Sequence, residues 1–422
     1  MTDKFHQHLM HRPRASCLSK SFNTSSVILQ LHFTPTPSGT DSSQRFLLIV
    51  LKVSKAWNTV GTKMLYSRPF LISHWRVQSF ARTLASNLSL GRLVKDVYVL
   101  FQSRHIYATK VSDTQMEALD IVTRFDLIRA LRLCPSLQTL AISNRSRLHP
   151  VIYPVDKVFV DASRIGRRLR KLTIHGCPSI FSAYFRPILS EDASLPQLMT
   201  LCLREICIID GFQFLLLRRL HTLQIAQSYR WPQNTDRVPN LTLSSAVMPM
   251  LTTLEVYENS FITRLDVNGM RRLRRYHCLG RPSVASFPDR NVTAILDGLR
   301  HLMTAGYLME EYNKDNVQWH LLDRLESLVL VIDPQTQYAL AGLRDLIMKT
   351  ESDGRNIVSL TGLVLLADLS VPNQDIILSS PAFGDLRSLC TSRNINLQVD
   401  LSGLNDWITR RLVGQLEHSH MA

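Results

Sequence analysis

A six-residue cassette, leucine-x-x-leucine-x-apolar, recurs along this 422-residue chain. It reads LQTLAI at 137–142, LRKLTI at 169–174, LMTLCL at 198–203, LHTLQI at 220–225, LTTLEV at 251–256, LESLVL at 325–330 and LTGLVL at 360–365. Two looser copies are LVKDVYV at 93–99 and LRRYHC at 273–278. In an extended strand, alternation sends both leucines and the final apolar residue to one face and the residues between them to the other. In LRKLTI this turns Leu169, Leu172 and Ile174 inward. One such strand cannot bury its apolar face alone, so the copies must stack side by side, in parallel, around a shared core.

From Leu137 onward the cassettes start 32, 29, 22, 31, 22, 52 and 35 residues apart. Most of these intervals lie at or near the roughly 20–29 residues of leucine-rich repeats. Several intervals carry helix periodicity with ends. In 291–306, Val292, Ile295, Leu296, Leu299, Leu302 and Met303 predict a helix between Asn291 and Gly306, filling part of the longest interval. Asp333-Pro334 opens another, carrying Leu340, Leu343, Leu346 and Ile347 to Asp353-Gly354. A third, within 112–133, stops at Pro135.

The expected fold class is α/β: an irregular leucine-rich-repeat solenoid over 76–401, with parallel strands and helices on the convex side. A short helical segment at 45–75 precedes it, and residues 1–44 are read as irregular. At 402–422 a helix and tail are expected to cap the last repeat, with Leu404, Trp407, Ile408, Leu412 and Leu416 near one helical face.

The longest apolar run, Phe46–Leu51, is far short of the roughly 20 residues that span a bilayer. Seven scattered cysteines with no C-x-x-C pair point to a reducing compartment and argue against a zinc or redox site. His6, His8 and His11 form an HxHxxH cluster without a clear further ligand nearby, read as adventitious metal affinity. The short signatures of nucleotide-binding, zinc-protease and serine-hydrolase sites are missing. The expectation is a non-enzymatic, cofactor-free protein of the cytoplasm or nucleus, with no membrane partner.

Two surfaces are candidates for binding. Outward strand positions give a mixed polar row, Lys171, Thr173, His175, Arg204, Gln224, Glu255, Tyr257, Arg275 and His277, suited to a protein segment or simply solvated. The formal net charge of +15 has a pattern too. Arg92, Arg168, Arg219, Arg272 and Arg324 each precede the first leucine of a cassette, so stacking would align them along a rim. Such a rim could attract an acidic segment or a nucleic acid, or could reflect only the favourable placement of arginine at helix C-termini. Aromatics are not interleaved with the basic clusters, which gives base stacking little support.

Ahead of the repeats, Phe46, Val50, Val53, Trp57, Val60 and Met64 fall on one helix face, ended by Pro69 and weakened by Gly61. The wording LLIVLKVSKAWNTVGTKMLYSRPFLI resembles the C-terminal half of an F-box. ARTLASNLSLGRLVKDVYVLF at 81–101, the Leu131-x-x-Cys134-Pro135-Ser136-Leu137 junction and LRSLCTSRNINLQVDL at 386–401 resemble fungal F-box proteins with leucine-rich repeats. Residues 1–44 lack the family's Leu-Pro-x-Glu opening and first helix. The resemblance implies a substrate-recognition subunit of an SCF-type (Skp, cullin, F-box) ubiquitin ligase, with Leu48, Val53, Ser54, Trp57 and Leu65 at matching adaptor-binding positions. A scaffold without adaptor binding, or a basic anion or nucleic-acid binder, are the alternatives.

Overall fold

The computed structural model describes residues 54–71, 74–101, 126–144, 167–175, 195–204, 207–208, 217–230, 242–243, 248–259, 264–265, 270, 272–279, 299–305, 325–332, 340–341, 343–344, 347–348, 359–367, 378–401 and 407. Each of the nine cassettes is a strand, and six further strands accompany them among the described residues. In chain order they are β1 (Phe70–Leu71), β2 (Asp96–Phe101), β3 (Thr139–Asn144), β4 (Lys171–His175), β5 (Thr200–Arg204), β6 (Cys207–Ile208), β7 (Thr222–Arg230), β8 (Thr242–Leu243), β9 (Thr253–Asn259), β10 (Arg264–Leu265), β11 (Arg275–Leu279), β12 (His301–Ala305), β13 (Ser327–Ile332), β14 (Gly362–Ala367) and β15 (Asn396–Asp400). Twelve of them form an open, all-parallel sheet in the order β1-β2-β3-β4-β5-β7-β9-β11-β12-β13-β14-β15. β6 pairs with β7, and β8 with β10, as short parallel additions. This is an α/β, solenoid-like stack of repeats.

The cassette leucines behave as alternation requires: Leu140, Leu172, Leu223, Leu254, Leu328 and Leu363 are completely buried. Entry to the strands uses an apolar residue three positions before the first leucine, namely Cys134, Leu195, Leu217, Met248 and Met270, all buried. The carbonyl of each accepts the N–H of Leu137, Leu198, Leu220, Leu251 or Leu273 at 2.9–3.2 Å, closing a tight turn. Pro135, Pro196 and Pro249 occupy the second turn position, where a fixed φ near −65° is already correct. The repeat is therefore apolar-x-x-Leu-x-x-Leu-x-apolar, one turn longer than the cassette.

A backbone spine ties the turns together. The carbonyl of Lys95 accepts both Gln138 and Thr139 N–H, and that of Gln138 accepts both Arg170 and Lys171. The same two-donor pattern continues through Arg170, Met199, His221, Thr252, Arg274, Arg300 and Glu326, at distances of 2.7–3.2 Å. Behind the sheet the buried leucines form two apolar clusters, one from Leu71 to Leu299 and one from Leu325 to Ile395, and Leu302 packs against both.

Two expectations change. Residues 299–305 do not continue a helix; they are the turn and strand of β12, with Leu299 and Met303 buried. LRHLMT fits both periods, and pairing to β11 and β13 on either side decides for the strand. The interval of 52 is thus two repeats of 26, starting at 273, 299 and 325. In LVKDVYV the first core position is Val94, not Leu93, since Val94, Val97 and Val99 are the buried set. Residues 340–341, 343–344 and 347–348 are helical with Leu340, Leu343 and Ile347 buried, as expected, while 291–298 and both ends of the helix expected from 333 to 354 lie outside the described residues.

At the head, helix α1 (Lys55–Ser67) runs unbroken through Gly61 and stops two residues before Pro69. Helix α2 (His74–Ser86) buries Val77, Phe80, Ala81 and Leu84, and Tyr66 stacks on Phe80 with centroids 6.5 Å apart. The short α3 (Leu88–Gly91) is capped by Asn87, whose side chain accepts the Ser89 N–H. A Cβ on Gly91 would lie 1.9 Å from the carbonyl oxygen of Leu133, so only glycine lets α3 rest on the first repeat turn. Helix α4 (Pro381–Ser392) buries Phe383, Leu386 and Cys390 behind β14 and β15. Gly91→Ala is expected to lower stability by about 1–3 kcal/mol, read as a lower urea midpoint, because backbone rather than a flexible side chain must yield.

Candidate functional site

The sheet face opposite the leucine core is a grid set by register. Its middle row runs Tyr98, Ala141, Thr173, Cys202, Gln224, Glu255, His277, Met303, Val329 and Val364 across successive strands. Expected outward residues do lie on this face. Their exposure, however, divides in two.

Over β2 to β5 the face is half-open. Lys171, Thr173, His175 and Arg204 are half-buried, as are Asp96 and Tyr98. His175 Nδ1 and Ser143 Oγ share a hydrogen bond of 3.1 Å, and Thr173 Oγ1 is buried with no hydrogen-bond partner among the described residues. Burial lowers the Lys171 amine below its ordinary value, opposed by the negative forms of Cys202 and Asp96. Burial pushes the Cys202 thiol up to about 12, with Lys171 pulling the other way. The Tyr98 phenol is raised by burial and then by Asp96, which itself pairs with Arg68 at 3.2 Å.

From β7 to β13 the face is covered, and here the expected solvent-facing row is corrected. Gln224, Glu255, Tyr257 and His277 are all at most 4% exposed, so a partner cannot reach them on this fold. They hold one another. Gln224 Nε2 donates to Glu255 Oε2 at 2.8 Å, and Tyr257 Oη and His277 Nδ1 lie 3.0 Å apart. His277 Nδ1 and Arg275 Nη1 approach Glu255 Oε1 at 3.7 and 4.0 Å. A buried carboxylate is tolerated only with such partners. Arg275 remains half-buried at the border.

Beyond them the face turns apolar: Met303, Val329, Val331 and Leu366 are buried together with Cys202, Ala226 and Tyr257. Trp407 packs on this cluster, its ring 6.3 Å from those of both Tyr257 and His277. Trp407, helical as expected, sits against Tyr257 of β9 and His277 of β11 near the middle of the sheet; the rest of the expected capping helix, 402–406 and 408–422, lies outside the described residues. The signal for the apolar face was present in SLVLVI and GLVLLA. Unbroken apolar runs mark parallel strands buried on both faces.

Along the edge where strands begin, the arginine rim has a definite construction. Arg168 Nη1 donates to the Pro135 carbonyl at 2.9 Å, Arg219 Nη1 to Gln197 Oε1, and Arg272 Nη1 to Met250 Sδ at 2.7 Å. Each reaches back to the turn of the repeat before it. Arg92 does not belong to this column; with Val94 as first core position it stands one place earlier, at the C-cap of α3. Arg324 lies outside the described residues.

Of the adaptor-matching positions, Leu48 and Val53 lie outside the described residues. Ser54 is exposed and its carbonyl accepts the Asn58 N–H at 2.8 Å, Leu65 is half-buried, and Trp57 lies in α1. Gly61, Leu65 and Tyr66 face the fold, whereas Val60 is 54% and Met64 41% exposed. The apolar stripe of the sequence is thus not wholly consumed by the core. On α2, Trp75 is 72% exposed.

No family model and no curated protein matches the chain. Among solved structures, a Bacteroides fragilis protein from a structural genomics consortium is similar over 64% of this chain and 66% of its own, just under two thirds of its length, at 12% identity and a TM-score of 0.31. That likeness is too weak to carry an argument. No helix of the described residues is long and apolar enough to cross a membrane, and no group of three or more potential metal ligands occurs among them.

Two outcomes follow for the face. Cys202 and Cys134, both pushed up to about 12 by burial, are expected to stay unmodified by a maleimide at pH 8 in the folded protein and to react once it is unfolded, as read by peptide mapping. Glu255→Ala is expected to cost about 1–3 kcal/mol in a urea titration, because it removes the acceptor of Gln224 in a buried setting.

Proposed function

We propose that the chain is a substrate-recognition subunit of an SCF-type ubiquitin ligase, an F-box-like head followed by leucine-rich repeats. The observation that carries this reading is the exposed pair Val60 and Met64 on α1, one turn apart, on a helix whose other side docks onto the fold through Leu65 and Tyr66. Large apolar side chains left out of a core at i and i+4 are what a helical adaptor interface covers. A Skp-type adaptor fits that surface and the F-box resemblance of the segment.

In this reading the chain supplies proximity and no chemistry of its own. The adaptor and cullin sit at the head, and a target protein is held on the half-open face by Lys171, Thr173, His175 and Arg204. Gln224, Glu255, Tyr257 and His277 then serve to fix the covered half.

A second reading is favoured by the missing Leu-Pro-x-Glu opening: a repeat scaffold that does not engage the adaptor. Co-purification with a Skp-type adaptor separates the two. Val60→Asp combined with Met64→Asp is expected to abolish capture while leaving the circular dichroism spectrum intact, since both side chains are exposed. Equal capture by this double variant would remove α1 as the docking element, and no capture by the unaltered chain would favour the scaffold.

A further inference from the structure

The described residues of the repeats β4, β5 and β7 carry charge of one sign. Their described residues 167–175, 195–204 and 217–226 include Arg167, Arg168, Arg170, Lys171, Arg204, Arg218 and Arg219, and no Asp or Glu. Among the described acids of the sheet on either side, Asp96 pairs with Arg68 and Glu255 lies within its buried network. Arg167, Arg168, Arg170, Arg218 and Arg219 are exposed along the edge where the strands begin. Between the two arginine groups, on β5, Met199 is 41% exposed.

The distances are regular. Met199 occupies the repeat position of Arg170 and His221, as the spine bonds Arg170 O to Met199 N–H and Met199 O to His221 N–H show. Neighbouring parallel strands lie about 4.8 Å apart, so Arg168 and Arg219 stand about 10 Å apart with the methionine repeat between them. One N–H of each guanidinium is engaged with the preceding turn, which holds the head in place and leaves its other donors.

We infer that this edge is a docking strip for an acidic peptide segment in polyproline II form, with carboxylates three residues apart and apolar side chains between them. A polyproline II chain rises about 3.1 Å per residue with three residues per turn, so side chains at i and i+3 share a face, span about 9 Å and match the two arginine groups. An apolar residue between them lies beside Met199. Bidentate arginine–carboxylate pairing supplies the polar ends. A nucleic acid is disfavoured because the described residues 167–175, 195–204 and 217–226 along this edge include no Phe, Tyr or Trp on which a base could stack, and Tyr229 lies at the far end of β7. The assignment rests on the proposed role in target recognition and names the class of target segment.

The test uses the full chain and a fluorescein-labelled peptide with Glu at every third position and Leu between, read by fluorescence anisotropy. A peptide of the same composition with its Glu residues grouped at one end, and a labelled single-stranded oligonucleotide, are the comparisons. The spaced peptide is expected to bind more tightly than either, with affinity falling as salt rises. Arg167→Glu, Arg170→Glu and Arg218→Glu together are expected to weaken it about tenfold or more. Met199→Asp, which leaves every arginine in place, is expected to weaken it as well and guards against misfolding of the triple variant. Equal affinity for the grouped peptide, tighter binding of the oligonucleotide, or unchanged binding by both variants overturns the strip. Adaptor capture is measured on the same preparations: its loss with peptide binding intact counts against the ligase reading alone, and the converse counts against the strip alone.

Discussion

The structure depends on one backbone geometry repeated from strand to strand, the carbonyl that accepts two successive N–H groups of the following repeat. Nine such carbonyls run from Lys95 to Glu326. Because each bond is made by main chain, the side chain at that position is free to vary, and it does, through Lys95, Gln138, Arg170, Met199, His221 and Thr252. The buried leucines set which face is inside; the spine sets the register that lines up everything else. Buried peptide groups that lack such partners are costly, so the spine also explains why loops of unequal length between cassettes leave the sheet unperturbed.

Much of this was legible in the sequence, and the failures have physical causes. Leucines two and three apart were sufficient to find the strands at 137, 169, 198, 220, 251, 325 and 360. The strand at 301–305 was hidden because Leu299, Leu302 and Met303 also satisfy a helical period and the cassette ends on Thr304, not an apolar residue. The entry turns were missed because their apolar position is filled variously by Cys134, Leu195, Leu217, Met248 and Met270, which share no letter pattern. For the site, alternation correctly assigned residues to a face but could not say whether that face was open. Coverage depends partly on where Trp407 goes, a long-range fact, and its one local signal is the unbroken apolar runs of β13 and β14.

The arginine column illustrates how structure and charge can be reconciled. Arg168, Arg219 and Arg272 fall on every second strand of the sheet, and each leans on an uncharged residue at the turn of the repeat before it. Like charges on adjacent strands, about 5 Å apart, would repel by about 0.9 kcal/mol in water; at about 10 Å the figure is about 0.4. Alternation thus halves the repulsion and gives each guanidinium an acceptor. A side chain fixed for this reason is also one whose remaining donors point in a defined direction, which is how a structural ladder acquires the regular spacing a partner can read.

Trp407 alters how the molecule should come apart. A stack of repeats in which each touches only its neighbours behaves as a one-dimensional chain, free to fray from either end. Here a residue seven positions beyond the last strand returns to Tyr257 and His277, across β14, β13 and β12. The Trp407 ring thus ties a residue beyond β15 to the middle of the sheet. Losing that contact uncovers β9 and β11, so the C-terminal half should melt more as one zipped unit than strand by strand.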